Sequence, residues 1–185
     1  MATSYPGSTT TKYKIRTQDV VSDLWFPPTT KPVSRWTTLL TNEHPALHQS
    51  AAAHVLAFRD NQVVLTLHKK RGWTIPGGHI NHGETGLEAV KREAFEEAGL
   101  HFETVELVAV ERIVTLPGQK HSSRYSNPSY QLFYFGIVES FLGTQENGMC
   151  SNAQFFTYDE AVAKSAWVRR HRKLFDTVFH THTTT

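Results

Sequence analysis

Cysteine is almost absent from this sequence, since Cys150 is the only one among 185 residues. A monomer therefore cannot contain a disulfide framework, and this composition suits a reducing compartment. The sequence also lacks an apolar run long enough to span a bilayer. Residues 1–12 are rich in Ser and Thr and have no apolar core, so they do not resemble a secretory signal. We expect a soluble cytoplasmic protein with no membrane partner.

An excess of charge of one sign is lacking as well. The chain has 19 Lys and Arg residues against 17 Asp and Glu, and its formal net charge is +2 with its 11 His residues counted as neutral. This balance does not favour nucleic acid as a partner, because a nucleic-acid-binding domain is usually strongly basic. It is compatible with a small anionic substrate, because local positive charge and metal ions can bind phosphates. A chain of this length is expected to form one domain.

Residues 1–45 are expected to form an N-terminal extension. The first eleven are predicted to be a disordered tip, while apolar side chains such as Trp25 indicate that the remainder docks on the domain. Pro32 favours the start of a short helix over residues 33–40. The domain itself is assigned to residues 46–180, and residues 181–185 to a frayed tail.

Strand-like and helical segments alternate along the domain. Five segments have the apolar pattern of strands, and they are residues 54–59, 62–68, 105–116, 130–139 and 154–157. A hairpin-type turn separates the first two. Residues 85–98 predict a helix with a capping box at Thr85 and a left-handed end at Gly99. Residues 159–179 predict a second helical segment that breaks near Ser165. This order indicates the α/β class, with a mixed β-sheet flanked by helices.

Three acids occupy an unusual position on the first helix. Glu93, Glu96 and Glu97 have i, i+3, i+4 spacing, so their carboxylates share one arc and repel one another. They also lie near the C-terminus of the helix, where the helix dipole disfavours anions. A separate apolar stripe explains how the helix packs, and it consists of Leu87, Val90, Ala94 and Ala98. The acids indicate a divalent cation, although an isolated cluster of this kind is more often a solvated face.

More residues are fixed around these acids, in the stretch GHINHGETGLEAVKREAFEEAGL from Gly78 to Leu100. Seven positions match one long spaced pattern, and they are Gly78, Glu84, Arg92, Glu93, Glu96, Glu97 and Gly99. A chain of this size would match by chance less than roughly once in a million. The stretch resembles the Nudix box at every fixed position. The order of elements around it is similar to the α/β/α sandwich of Nudix hydrolases.

The resemblance implies a metal site and a reaction. The ligands of Mg²⁺ or Mn²⁺ would be three carboxylates and one backbone carbonyl, those of Glu93, Glu96, Glu97 and Gly78. Glu84 and Arg92 match a pair that braces the glycine loop against the helix. The implied reaction is hydrolysis of the phosphoanhydride bond in a nucleoside diphosphate derivative, above all a nucleoside triphosphate. Water would attack one phosphorus, and the other phosphate would leave.

The general base is left open between two regions. In members of the family the base lies either on the helix or in a later loop. Here Glu96 or Glu93 could serve on the helix, and Glu139 or Glu146 could serve beyond it. Glu146 is favoured over Glu139 because it lies in a loop past the strand, which is the commoner arrangement in the family.

The long polar loop at residues 117–129 is a candidate for substrate binding. It contains Lys120, Arg124 and Tyr125, and cations with an aromatic ring beside an acidic metal site suit a nucleotide. A simple mobile loop is an equally good interpretation. His79, in the glycine loop, is expected to face solvent. The basic run at residues 169–173 is expected to be the solvated face of a helix.

Two other functions remain open at this point. The first is a Nudix module that senses a nucleotide without turnover, although such a sensor would not need to keep the repulsive acids. The second is an RNA cap hydrolase, for which the basic terminal helix is the only support. The expected partner is a nucleotide-type small molecule. A homodimer is compatible with the resemblance, because members of the family are often dimers.

Overall fold

The computed structural model describes residues 19–26, 33–120, 124–144 and 149–183. The described residues form nine strands, β1 (Asp19–Phe26), β2 (Ser34–Leu40), β3 (Ser50–Arg59), β4 (Gln62–His68), β5 (Gly72–Thr74), β6 (Gly77–His79), β7 (Leu100–Thr115), β8 (Ser129–Phe141) and β9 (Cys150–Phe156). They also form four α-helices, α1 (Gly86–Ala98), α2 (Tyr158–Lys164), α3 (Ala166–Arg170) and α4 (Arg172–Thr183). Glu146 and the predicted disordered tip lie outside the described residues.

The strands form one mixed sheet in the order β1-β2-β7-β8-β3-β4-β5, with β6 paired to β3 and β9 to β4. The β3–β8 pair is parallel, while the β3–β4 hairpin is antiparallel as predicted. Side chains of β3 alternate between two cores. Val55 and Ala57 pack with α1, whereas Leu56 and Phe58 pack with α2, α3 and α4. The predicted α/β/α sandwich is therefore confirmed.

Helix α1 begins and ends where its capping residues predict. Thr85 Oγ1 accepts a hydrogen bond from the N–H of Glu88 at 3.2 Å, and Gly99 adopts the left-handed conformation with φ 59°. The predicted apolar stripe is correct except at Leu87, which is 38% exposed. Gly86 is buried instead, because the first turn lies so close to β8 that a Cβ there would stand 2.3 Å from Leu132. Leu87 consequently points away from the sheet.

The predicted helix over residues 33–40 is wrong, because this segment is strand β2. It pairs antiparallel with β7, from Ser34 opposite Thr115 to Leu40 opposite Ala109. Its aromatic and β-branched residues favour a strand, and β7 offers it a row of unpaired backbone groups. The docked part of the extension thus joins the domain's sheet. Strand β1 continues the sheet outward by pairing with β2.

The C-terminal segment breaks at Ser165 as predicted, and it breaks again at His171. Ser165 starts α3 by accepting a hydrogen bond from the N–H of Val168 at 3.1 Å. Helix α4 continues to Thr183, so the expected frayed tail does not begin at residue 181. Among the residues that the structure describes, no helix is both long and apolar enough to cross a membrane.

Candidate active site

Two glycines allow the turn before α1 to approach the acids of the helix. Gly77 has φ 144°, and a Cβ there would lie 2.4 Å from the carbonyl oxygen of Ala53. At Gly78 a Cβ would lie 2.5 Å from the carboxylate of Glu93. Any larger residue would push the turn away from the helix. This close approach places the backbone of Gly78 beside the predicted metal-binding acids.

The three acids of α1 differ in how deeply they are buried. The Glu93 side chain is 17% exposed, and that of Glu96 is 56% exposed. Glu97 reaches under the turn, where its Oε2 accepts a hydrogen bond from the N–H of Gly77 at 3.0 Å. Burial raises the pKa of Glu97, and the hydrogen bond from Gly77 opposes that rise. A carboxylate in this place gains stability from a nearby cation.

Arg92 joins the glycine loop to the helix. Its Nε and Nη2 donate to the two carboxylate oxygens of Glu84 at 2.8 and 3.0 Å, a bidentate pair of the strong kind. Nη2 also donates to the carbonyl oxygen of His79 at 3.0 Å. The hydrogen bond from Arg92 is the main cause that lowers the pKa of Glu84. These contacts are the brace that the resemblance implies.

The same guanidinium also contacts two of the acids that are predicted to bind metal. Arg92 Nη1 lies 2.9 Å from Glu93 Oε1 and 3.3 Å from Glu96 Oε2. One positive charge therefore meets several carboxylates, those of Glu84, Glu93 and Glu96, while Glu97 lies close by on the same helix. The cluster keeps a net negative charge when these acids are ionised. The repulsion inferred from the sequence is only partly relieved by the chain itself.

The donor set suits a hard divalent cation, since it consists of carboxylate oxygens and the backbone carbonyl of a close glycine. Within the described ranges, no group of three or more His, Cys, Asp or Glu side chains is positioned so that it could hold a metal ion. The contacts explain this, because Arg92 holds Glu93 and Glu96 while Gly77 holds Glu97. Arg92 contacts one oxygen of each carboxylate, Glu93 Oε1 and Glu96 Oε2, and each has a second oxygen that could ligate a metal.

Two of the three loop residues predicted to bind substrate lie at the edge of this site. The rings of Tyr125 and His79 stack at 5.9 Å with an angle of 8° between their planes. The guanidinium of Arg124 lies 5.6 Å from the centre of the Tyr125 ring. Burial, followed by the charge of Arg124, lowers the pKa of His79. His79 is exposed, as expected, and it also contacts the loop, which the sequence did not reveal.

A cavity of about 570 Å³ opens beside this stack. Arg124 and Tyr125 line it together with Glu84, which links the cavity to the brace. Lys120 is exposed and is not among the lining residues. The structure therefore brings Arg124 and Tyr125 together with the glycine loop, and the role of Lys120 stays a prediction.

The candidate general bases lie in different parts of the structure. Glu93 and Glu96 lie in the acid cluster. Glu139 is exposed near the end of β8 and lines a second depression of about 420 Å³ together with Arg92 and Phe95. The assignment of the base to Glu146 falls outside the described residues and stays a prediction.

Sequence reasoning missed two residues near or behind the site. Cys150 is buried beside Glu97, and the neighbouring charge of Glu97 adds to burial in raising the pKa of the thiol to about 12. Glu111 of β7 is fully buried on the other face of the sheet. The sequence pattern that could have drawn attention to Glu111 is a single acid inside the apolar run LVAVERIV. By itself that pattern did not indicate burial.

The geometry defines a class of protein, an α/β/α sandwich whose acid-bearing helix lies against a glycine turn. The family model of the NUDIX domain matches residues 47–178. The chain therefore belongs to the Nudix family, which confirms the prediction from the box. Enzymes of this family generally use divalent metal ions.

A solved structure shares this fold. The pyrophosphohydrolase BsRppH of Bacillus subtilis superposes with a TM-score of 0.57 over 77% of this chain and 92% of its own, at 16% identity. A Nudix hydrolase of Nitrosomonas europaea gives a TM-score of 0.52 over 73% of this chain and 90% of its own, at 21% identity. At such low identity these likenesses establish the fold alone.

Curated relatives match a shorter stretch. The human 8-oxo-dGDP phosphatase NUDT18 is 41% identical over 61 residues, which are 31% of this chain and 19% of that protein. The RNA pyrophosphohydrolase of Psychrobacter cryohalolentis is 50% identical over 38 residues, which are 20% of this chain and 22% of that protein. The matched segments span about a fifth of the length of these relatives.

Proposed function

We propose that this protein is a divalent-metal-dependent hydrolase that cleaves the phosphoanhydride bond of a nucleoside diphosphate derivative, above all a nucleoside triphosphate. One observation carries the proposal, the acid cluster of α1 held against the Gly77–Gly78 turn with fewer positive charges than carboxylates. The names of the matched relatives, an 8-oxo-dGDP phosphatase and an RNA pyrophosphohydrolase, describe cleavage of the same kind of bond.

The residues have distinct roles in this proposal. Glu93, Glu96, Glu97 and the carbonyl of Gly78 would hold Mg²⁺ or Mn²⁺. When bound, the metal supplies charge neutralisation at the diphosphate and a lower pKa for an attacking water. Arg92 and Glu84 keep the turn in place, so that the acids and the Gly78 carbonyl face the same phosphates. The brace thus acts by positioning.

The remaining residues would bind the substrate or take the proton from water. Arg124 and Lys120 would neutralise phosphate oxygens, and the ring of Tyr125 would pack against the substrate. Glu96 or Glu93, or Glu146 in the later loop, would take the proton from water as it attacks one phosphorus. The second phosphate then leaves with the bond electrons. A homodimer would be compatible with this site.

Product analysis by chromatography tests the proposal. The protein and its Glu97→Gln variant are incubated with Mg²⁺ and a panel of canonical and oxidised nucleoside triphosphates, ADP-ribose, NADH, diadenosine polyphosphates and a nucleotide sugar. We expect the parent to cleave nucleoside triphosphates and the variant to lose most turnover while remaining folded. Metal binding without cleavage of any compound would instead support the nucleotide-sensing alternative.

Action on RNA is the other alternative, and it has weaker support. Arg169 donates to the carbonyl oxygens of Val162 and Ala163, and Arg172 pairs with Asp176 at 2.7 Å. Two of the basic residues that suggested RNA contact are therefore engaged within the helical segment. RNA binding that weakens steeply with salt would favour this alternative over the small substrate.

A further inference from the structure

Arg71 lies in the turn between β4 and β5, at the edge of the candidate active site. This turn contains three consecutive basic residues, Lys69, Lys70 and Arg71. The guanidinium of Arg71 is exposed and forms no ion pair with another described residue. The proposed function gives it no role. A basic run in a turn is most often solvated, so the position of Arg71 decides whether it has a function.

A buried histidine fixes the path of this turn. The Nδ1 of His68 accepts hydrogen bonds from the N–H groups of Lys70 and Arg71, at 3.1 and 3.2 Å. Gly72 follows with φ 71°, a conformation that a residue without a Cβ adopts easily. The backbone of Arg71 is therefore held from the buried side of the turn, while its side chain stays exposed.

Strand pairing places this turn close to Glu97. His68 in β4 is directly opposite Gly72 in β5, and on its other side it is opposite Cys150 in β9. The side chain of Cys150 hydrogen-bonds Glu97. Two strand spacings are roughly 10 Å, a distance that the side chains of Arg71 and Glu97 together can bridge.

The charge of Arg71 acts on several groups around the acids. Burial raises the pKa of Glu97, and the charge of Arg71 opposes that rise. Burial lowers the pKa of both His54 and His79, and Arg71 adds to both effects. These three residues belong to α1, β3 and β6. An arginine that extended away from the site would not influence all three, so its guanidinium lies where these elements meet.

The two arginines of the site differ in what they offer to a ligand. Arg92 makes five hydrogen bonds, to carboxylate oxygens and to the carbonyl oxygen of His79, so its five N–H groups are occupied. Its described contacts do not include Glu97. Arg71 lies on the Glu97 side and presents its planar fork to solvent. This fork matches two oxygens of a phosphate.

We propose that Arg71 binds the diphosphate of the substrate and, through its charge, makes the site favour a metal bound to phosphate over a free metal. A positive charge beside the acids opposes a cation that arrives alone. Phosphate oxygens between the metal and the guanidinium reverse this effect, because they attract both. The inference rests on the proposed function, since it places a diphosphate at the acids of α1. It adds a phosphate-binding residue and the form in which the ligand binds.

The first test measures metal binding without phosphate. Electron paramagnetic resonance counts free Mn²⁺ while the parent and Arg71→Gln are titrated. We expect the variant to bind Mn²⁺ about two- to fivefold more tightly, because one repelling charge is gone. A purely structural arginine would not produce this gain. Unchanged or weaker binding of Mn²⁺ by the variant would contradict the inference.

The second test adds the phosphate. Methylenediphosphonate has the charge of a diphosphate and a P–C–P bridge that water does not cleave, and it contains no base. Calorimetry measures the binding of its Mg²⁺ complex. We expect Arg71→Gln to weaken this binding about tenfold or more. Arg71→Lys should weaken it less, because lysine keeps the charge and loses the fork. Equal binding by the parent and Arg71→Gln, or no binding by the parent, would overturn the inference.

Lys70→Gln is the matched control, because Lys70 is the neighbouring exposed cation of the same turn. Among the described residues, its charge acts on His68 and not on Glu97. We expect Lys70→Gln to bind both Mn²⁺ and the diphosphonate as the parent does. Equal effects from Lys70→Gln and Arg71→Gln would assign the binding to the total charge of the turn and refute the role of Arg71.

These measurements separate the inference from the proposed function. Neither ligand requires turnover, so opposite shifts in Arg71→Gln without cleavage of any nucleotide would refute the hydrolase and keep the role of Arg71. Cleavage by the parent, with both affinities unchanged in Arg71→Gln, would keep the hydrolase and refute that role. Because Arg71 is exposed, we expect the variant to fold, which circular dichroism checks. If it does not fold, the loss of diphosphonate binding in Arg71→Lys decides alone.

Discussion

Two helical regions of this molecule each carry a cluster of like charges in the sequence, acidic in α1 and basic in the C-terminal helices. The structure surrounds these two clusters differently. In α1, the last turn carries acids and no basic residue, and Arg92 one turn earlier is shared among Glu84, Glu93 and Glu96. In the C-terminal helices, Arg169 donates to the nearby carbonyl oxygens of Val162 and Ala163. Arg172 pairs with Asp176 one turn away in α4 at 2.7 Å.

The difference identifies which charges are candidates for function. A charge that finds its partner within the same helical segment, as Arg172 does, contributes little and needs no ligand to explain it. The acids of α1 outnumber their cation, and their position opposes the helix dipole. A positively charged ligand would stabilise this arrangement. Partial burial of unneutralised charge, rather than charge density, separates the two regions, because the Glu93 side chain is 17% exposed while the basic residues 169, 170, 172 and 173 are exposed.

The largest expected effect comes from changing Arg92 to Lys. Lysine keeps the charge and loses the bidentate contact with Glu84 and the contact with the His79 carbonyl, because an ammonium group cannot reproduce the planar fork. We expect turnover to fall about 10- to 100-fold, as when other groups that orient metal ligands are changed. Steady-state kinetics on the best substrate of the panel measures this effect.

The control is Arg172→Lys in α4, which makes the same change in the other region. Turnover should stay as in the parent, because the Arg172–Asp176 pair is exposed and lies within one helix. A similar loss of turnover in both variants would mean that the two regions do not differ in this respect. Normal turnover in Arg92→Lys would show that the reaction does not need the brace.

A smaller effect is expected from adding metal to the folded protein. Mg²⁺ should raise the melting temperature by binding the native acid cluster, with about 1.4 kcal/mol at ten times its Kd. For a protein of this size that is roughly 3–5 °C. Differential scanning fluorimetry across millimolar Mg²⁺ measures the shift. Glu97→Gln should reduce it, and an unchanged melting temperature in the parent would argue against a metal site in α1.

The parts of this site that the sequence predicted are the parts set by neighbours along the chain. The capping box at Thr85, the end of α1 at Gly99 and the common arc of the three acids follow from residue spacing within one helix. The approach of Gly78 to Glu93 also lies within the box. The residue spacing within the box was therefore enough to predict most of the geometry around the turn.

The parts that sequence reasoning missed depend on partners distant along the chain. Residues 33–40 form a strand because the edge of β7, about seventy residues later, is available to pair with them. Glu111 is buried because Thr38 and His171 cover it from two other elements. His79 contacts Tyr125 through a loop whose path no local pattern fixes. In the first two cases tertiary packing overrides the local preference.

The smallest effect concerns the pH dependence of stability, and it depends on the burial of Glu97. Burial raises the pKa of this carboxyl in the folded protein above its ordinary value of 4.5. Its contribution to stability is therefore fully present below that ordinary value, and it is lost as the pH rises through the raised value. The Glu97→Gln variant cannot ionise, so it escapes this loss.

Without metal, the melting temperature of Glu97→Gln should therefore match that of the parent near pH 4.5 and exceed it increasingly toward neutral pH. Saturating Mg²⁺ should reverse the order at neutral pH, because the cation stabilises the ionised carboxylate of the parent and the amide of the variant is a weaker ligand. Thermal denaturation from pH 4.5 to 8, with and without Mg²⁺, measures both differences. A variant less stable than the metal-free parent at neutral pH would mean that the Glu97 carboxylate is already matched by its own chain. The acids of α1 would then resemble the paired charges of α4.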